Sequence, residues 1–277
     1  MLTLAIGDFF IPERVIELPS KFCKLLSPNA PAVPSNPKIA QVLCLGNITQ
    51  SASTLRFLND LSPSFHIVRG EFDNYNILCQ QLANLGHKSS NPLPFYKVVT
   101  ADNFRIGFTS GYQDVPRHDP LLLLTFAREI DVDILIWGGA HHVEAYTLDG
   151  KFFINPGSAT GAYTFDWPEI EEKDDDEDED DEETTLAPSN AKSSGGSEDQ
   201  GDKEESESDE VERKLSEDDK EKEIEDKQDP CELEPLEEYS TPSFCLLDTH
   251  GSLCTLYIYT QVNGEIKVDK VMYQKDE

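Results

Sequence analysis

Five short, mostly apolar runs in this chain of 277 residues stop in the same manner, each giving way to glycine beside a polar group. Residues 2–6 end at Gly7-Asp8, 41–45 at Gly46-Asn47, 66–69 at Gly70-Glu71, 104–109 at Ser110-Gly111, and 134–137 at Gly138-Gly139-Ala140-His141. Runs of this length and composition read as strands covered on both faces, and functional side chains then collect in the loops beyond their carboxyl ends. Helical spacing appears between them. It covers 21–26 behind Ser20, 51–61 with a serine at its start, and 121–130 behind Asp119-Pro120, a cap followed by a first-turn proline. Residues 95–100 read as a strand paired with 104–109, and residues 143–148 and 151–154 flank Asp149-Gly150, a two-residue hairpin signal. Residues 243–248, 253–261 and 265–273 form three further antiparallel strands around Thr249-His250-Gly251 and Asn263-Gly264. Residues 73–94 are polar, hold two prolines and a glycine, and read as a long surface excursion. The chain is thus an α/β protein, alternating β and α and then closing on a β-meander.

Charge divides the sequence into two materials. The formal charge is −31, yet residues 166–239 hold 35 acidic and 8 basic side chains, leaving 19 and 15 in the remaining 203 residues. Serine, glycine and carboxylates dominate the acidic stretch and aromatics are nearly absent, so it cannot bury enough apolar surface to fold. The expected organisation is one discontinuous domain, residues 1–165 plus 240–277, interrupted by a disordered acidic insertion at 166–239 with a transient helix at 211–227. Such a segment is repelled by phosphates, which argues against nucleic acid and against anionic membranes as partners. Ser206 and Ser216 each precede an acid by three residues, the pattern of an acidophilic kinase site.

The six cysteines show no C-x-x-C pairing and read as free thiols of a reducing compartment. The opening Met1-Leu2-Thr3-Leu4-Ala5-Ile6-Gly7-Asp8 has no basic n-region and reads as a first strand rather than a signal peptide; no run approaches the roughly 20 residues of a membrane span. A cytoplasmic protein is expected, held on membranes only through partners.

Taken in order, Asp8-Phe9-Phe10, Gly46-Asn47, Gly70-Glu71-Phe72-Asp73, Ser110 and Gly138-Gly139-Ala140-His141 resemble the D-x-H, G-D, G-N-H-[D/E], H and G-H-x-H series of the calcineurin-like metallophosphoesterases. The resemblance implies two packed mixed β-sheets flanked by helices, an αββα sandwich, with two metal ions activating a water at the strand ends. The ligands are depleted. Asp8 is retained, the bridging aspartate is Asn47, Glu71 stands for an asparagine, and His141 is the one family imidazole left. Phe10 and Phe72 replace histidines, the second of which would protonate the leaving group. Asp8, Asn47, Glu71 and His141 therefore make at most a vestigial site, with no cofactor required and weak zinc or manganese as the metal candidate. His142 reads as a surface residue, and residues 157–161 as a tight turn, since no lysine follows where a phosphate loop needs one.

Departures of this kind are similar to one branch, the family of the small retromer subunit, with which the chain shares Leu18-Pro19-Ser20-Lys21-Phe22 and Asn155-Pro156-Gly157-Ser158-Ala159-Thr160-Gly161-Ala162-Tyr163. That resemblance implies a non-catalytic scaffold in endosome-to-Golgi and endosomal recycling transport. Its metal-site face, here Phe9, Phe10, Ile11, Val115, His141 and Tyr163, would pack on the large α-helical-repeat subunit. The opposing reading is a residual metal-dependent phosphoesterase.

Alternation along 253–259 puts Cys254, Leu256 and Ile258 on one face and Leu253, Thr255, Tyr257 and Tyr259 on the other, which is unusually apolar for a solvated face. The resemblance extends this to a patch of Leu2, Leu25, Leu246, Tyr257, Tyr259 and Val268, which would dock regulators through leucine or proline-leucine loops.

Overall fold

The computed structural model describes residues 1–28, 36–87, 93–113, 116–163 and 241–275. The expectations of disorder and of a helix within the insertion, the thiol of Cys231, Ser206, Ser216 and Val115 lie outside these residues.

Eleven strands form two sheets among the described residues. The first runs β11(Glu265–Gln274), β10(Leu253–Val262), β9(Ser243–His250), β1(Leu2–Ile6), β2(Ile39–Cys44), β3(Phe65–Ile67). The second runs β4(Tyr96–Ala101), β5(Phe104–Thr109), β6(Ile134–Trp137), β8(Lys151–Pro156), β7(Val143–Leu148). Both are mixed: β1, β2 and β3 are parallel while β9 to β11 are antiparallel, and β5, β6 and β8 are parallel between the hairpin strands β4 and β7.

Period-two alternation explains the layers. Ala5, Leu43 and Leu45 point from the first sheet into the space between sheets, where they meet Ile106, Phe108, Ile134, Ile136, Phe152 and Ile154 of the second. Their neighbours Leu4, Ile6, Val42 and Cys44 point the other way, onto α1(Ser20–Leu26), α2(Ala52–Leu61) and α3(Tyr75–Asn84), through Phe22, Leu26, Leu55, Leu58, Leu78 and Leu82. On the opposite outer face, Leu135, Trp137 and Phe153 receive Leu123, Leu124 and Ala127 of α4(Pro120–Glu129). The result is the expected αββα sandwich. Burial of its inner faces is the main favourable term, at roughly 25 cal/mol per Å² of apolar surface.

Two local expectations change. Residues 73–94 are not a bare excursion, because they hold α3: Asn74 Oδ1 caps the N–H groups of Asn76 and Ile77 at 3.2 and 3.3 Å, and Leu78 and Leu82 give it a buried stripe. Ser20 does not cap α1. It is the first helical residue, and the carbonyl of Pro19 accepts from Phe22 and Cys23 instead. Asp119 does cap α4, accepting from Leu121 N at 2.7 Å. Cys23, Cys44, Cys79, Cys245 and Cys254 are free thiols, and burial pushes those of Cys44 and Cys245 well above the usual range.

Candidate functional site

The carboxyl ends of β1, β2, β3, β5 and β6 converge, and each contributes one of the five loops singled out in the sequence. Asp8 follows β1 at φ 51°, Asn47 follows β2 at φ 59°, and His141 lies beyond β6 at φ 62°, so all three backbones turn sharply into the left-handed region. The turns pack closely. A Cβ on Gly46 would lie 2.3 Å from Gly70 N, and one on Gly70 would lie 2.3 Å from Asn47 N, so glycine is required at both positions.

Asp8 is fully buried. Its Oδ1 accepts from Asn47 Nδ2 at 2.7 Å and its Oδ2 from Gly139 N at 2.8 Å. Burial raises its carboxyl above the ordinary carboxylate range, opposed by the imidazole of His141 and by these two bonds, while Asp73 reinforces the rise. The turn at 158–160 supports the loop from behind: Ser158 Oγ donates to Asp8 O and Thr160 Oγ1 to Phe9 O, each at 2.6 Å.

Asp73, to which sequence reasoning gave no role, organises the neighbouring loops. Its carboxylate accepts from the backbone N–H groups of Asn47, Ile48, Thr49 and Gly70 at 2.8–3.0 Å and from Thr49 Oγ1 at 2.7 Å. The available signal was local: an aspartate three residues after a glycine can bond back to the glycine N–H and close a turn.

The remaining candidates are placed unequally. Glu71 turns to Arg117, pairing with its Nη2 at 2.8 Å. Ser110 Oγ donates to Arg69 O at 2.9 Å. His141 is buried, with Nδ1 2.6 Å from Tyr163 O; a carbonyl only accepts, so Nδ1 carries the proton. Phe10 lies edge-on to His141 at 4.9 Å and to Phe72 at 5.6 Å, and Phe72 is 60% exposed. Phe9 and Ile11 turn into the core, so they support this face from beneath. Tyr163 is 65% exposed under the guanidinium of Arg14, 4.5 Å from its ring centre.

This donor set does not fit a two-metal centre. Such a centre needs several anionic or neutral-imidazole ligands converging on one hollow. Here Asn47 aims an NH₂ at Asp8 and Glu71 is held by Arg117, and among the described residues no three His, Cys, Asp or Glu side chains gather as a metal-holding group. A cavity of about 310 Å³ lies beside Asn47, lined also by Phe10, Glu13, Gln50 and Phe72.

The second patch lies on the outer face of the first sheet. Leu246 is flanked by Leu4 and Tyr257, Tyr259 faces Val268 across β10 and β11, and Tyr259 stacks on Phe244 with centroids 4.8 Å apart. Leu25 and Val268 are exposed, and Leu2, Leu246, Tyr257 and Tyr259 are half-buried. Met272, opposite Thr255 on the same face and exposed, extends the patch. Alternation along β11 could have identified it.

Residues 27–169 match the calcineurin-like phosphoesterase superfamily domain. Over the whole of both chains the sequence is 44% identical to vacuolar protein sorting-associated protein 29 of Saccharomyces cerevisiae. The crystal structure of Chaetomium thermophilum Vps29 is similar over the whole of both chains, with 32% identity and a TM-score of 0.62. Its complex with a cyclic peptide gives 29% identity and a TM-score of 0.59, covering 100% of this chain and 98% of the other. Entamoeba histolytica Vps29 in complex with zinc is 28% identical, with a TM-score of 0.59, covering 98% of this chain and 99% of the other. The chain belongs to the vacuolar protein sorting-associated protein 29 family, within the calcineurin-like phosphoesterase superfamily.

Proposed function

We propose that the chain is a non-catalytic assembly subunit of retromer, serving endosome-to-Golgi and endosomal recycling transport. It packs the strand-end face on a large α-helical-repeat subunit. The observation that carries this reading is the aromatic cover: Phe10 stands where the resemblance expects a metal-ligand histidine and Phe72 where it expects the general-acid histidine, and Phe72 is 60% exposed on a loop pinned by its own N–H to Asn47 Oδ1 at 3.0 Å. A large apolar side chain held rigidly in water marks a partner surface. Phe10, Phe72, His141 and Tyr163 are assigned to that contact with Val115, over the support of Phe9 and Ile11.

Regulators dock on Leu2, Leu25, Leu246, Tyr257, Tyr259 and Val268 through leucine or proline-leucine loops. The peptide complex of the Chaetomium relative supports a family capacity to hold short segments. Residues 166–239 serve as a solvated acidic spacer within the one domain. The protein is cytoplasmic and reaches endosomal membranes through the complex; among the described residues no helix is long and apolar enough to cross a membrane.

The test is an affinity pull-down of the full chain and of Phe72→Asp. The native chain is expected to recover a large helical-repeat protein and the variant to lose it; recovery of none by the native chain rejects the reading. One observation favours the second reading, a residual divalent-metal phosphoesterase: the zinc complex of the Entamoeba relative. Turnover of an aryl phosphate with manganese or zinc, abolished by His141→Ala, would establish it.

A further inference from the structure

Asn47 has an orientation that its neighbours decide. Its Oδ1 accepts from Phe72 N at 3.0 Å, and a backbone N–H can only donate, so the oxygen is fixed on that side. The amide NH₂ must then face Asp8 Oδ1, 2.7 Å away. Asn47 also donates its own backbone N–H to Asp73 Oδ2 at 2.8 Å, and Asp8 Oδ2 takes Gly139 N at 2.8 Å. An unbroken chain of hydrogen bonds thus runs from Asp73 through Asn47 and Asp8 to Gly139, linking loops of the first sheet to a loop of the second.

In a two-metal centre the bridging position presents oxygen to the cations, and the cations tie the loops together. Here the same position presents protons to the carboxylate. Arg117 supplies the positive partner of Glu71 at 2.8 Å, and the glycines at 46 and 70 let the loops close until no Cβ would fit between them. The loops are closed around an amide, where the superfamily closes them around ions.

We infer that Asn47 is a built-in substitute for the bridging cation: its amide protons hold Asp8 and order the strand-end face, so that this face is complete without metal. The role is structural, and it holds whatever partner the face binds.

Thermal unfolding of the full chain and its variants, in EDTA and in manganese, tests the inference together with equilibrium dialysis of manganese. The native chain is expected to unfold at the same temperature in both and to retain no manganese at the site. Asn47→Asp sets two carboxylates against each other. It should unfold about 5 °C lower in EDTA, recover in manganese, and bind the ion at least about tenfold more tightly. Asn47→Ala should lose a similar amount with no recovery. A native chain that is stabilised by manganese, with the effect removed by Asp8→Asn, overturns the inference, as does an Asn47→Asp variant indifferent to metal. Should Asn47→Asp fail to fold in EDTA, its refolding on addition of manganese supports the inference and continued failure rejects it.

Discussion

Ser243 Oγ donates to the carbonyl of Pro156 at 2.7 Å, joining residues 87 positions apart. The backbone N–H of Ser243 bonds to Ser158 O at 2.8 Å as well, so the strand that follows the acidic insertion starts on the turn that supports the Asp8 loop. The described residues on either side of that segment are thus hydrogen-bonded directly to one another. Replacing residues 166–239 with a short glycine-serine linker is expected to leave the fold intact and stability unchanged or raised, by at most about 2 kcal/mol from the smaller loop-closure entropy. Urea unfolding checks this; a loss of stability would show that the insertion packs on the domain.

Asp73 holds four backbone N–H groups and one hydroxyl from its buried position. Asp73→Ala leaves those donors unpaired and is expected to cost roughly 3–5 kcal/mol, read as a shift of the urea midpoint without a change in slope. A cost under about 1 kcal/mol would mean that water replaces the carboxylate easily.

Val268 is half exposed and faces Tyr259 across the strands. Val268→Asp should leave the unfolding temperature within about 2 °C of native, since surface changes cost little. The same change should weaken binding of a proline-leucine cyclic peptide at least about tenfold, an anchor loss of about 1.4 kcal/mol or more. Calorimetric titration measures the affinity and a thermal scan the unfolding temperature. Unaltered affinity would move the docking surface elsewhere.

His66 Nδ1 lies 2.9 Å from Lys97 Nζ, and since an ammonium only donates, the ring accepts there and its Nε2 proton points to Ser64 Oγ at 3.0 Å. Burial, with the charges of Lys97 and His87, pulls the imidazole from 6.5 down to about 4. Between these values the unfolded chain binds the extra proton and the folded chain does not, so the contribution of His66 to stability is full above pH 6.5 and falls as pH drops towards 4. The group is half exposed, so screening reduces the effect to on the order of 1 kcal/mol. His66→Gln should flatten that part of the profile of unfolding temperature against pH; an unchanged slope refutes the assignment.

Several features were legible because their causes are local. Asp149-Gly150 adopts φ of 51° and 70°, as its hairpin requires, and Asp119-Pro120 starts α4. The alternation that buries Cys254, Leu256 and Ile258 and leaves Tyr257 and Tyr259 half-buried was written in period two. Helix α3 was not legible. Asn76, Gln80, Gln81 and Asn84 dilute its apolar pattern, and Leu78 and Leu82 become anchors only where the outer face of the first sheet lies beneath them.

At the strand ends the division is sharper. By itself the sequence determined that five strands stop at glycine turns, and that Phe10 and Phe72 stand in those turns beside Asp8, Asn47, Glu71 and His141. Tertiary structure alone decided that Phe9 is buried, because positive φ at Asp8 and Phe10 breaks the alternation carried out of β1, and that Phe72, in the loop after β3, is exposed. It alone decided the roles of Asp73 and Asn47. Their partners come from loops that are distant in sequence, and the direction of an amide is set by which of those neighbours can donate a proton and which can only accept one.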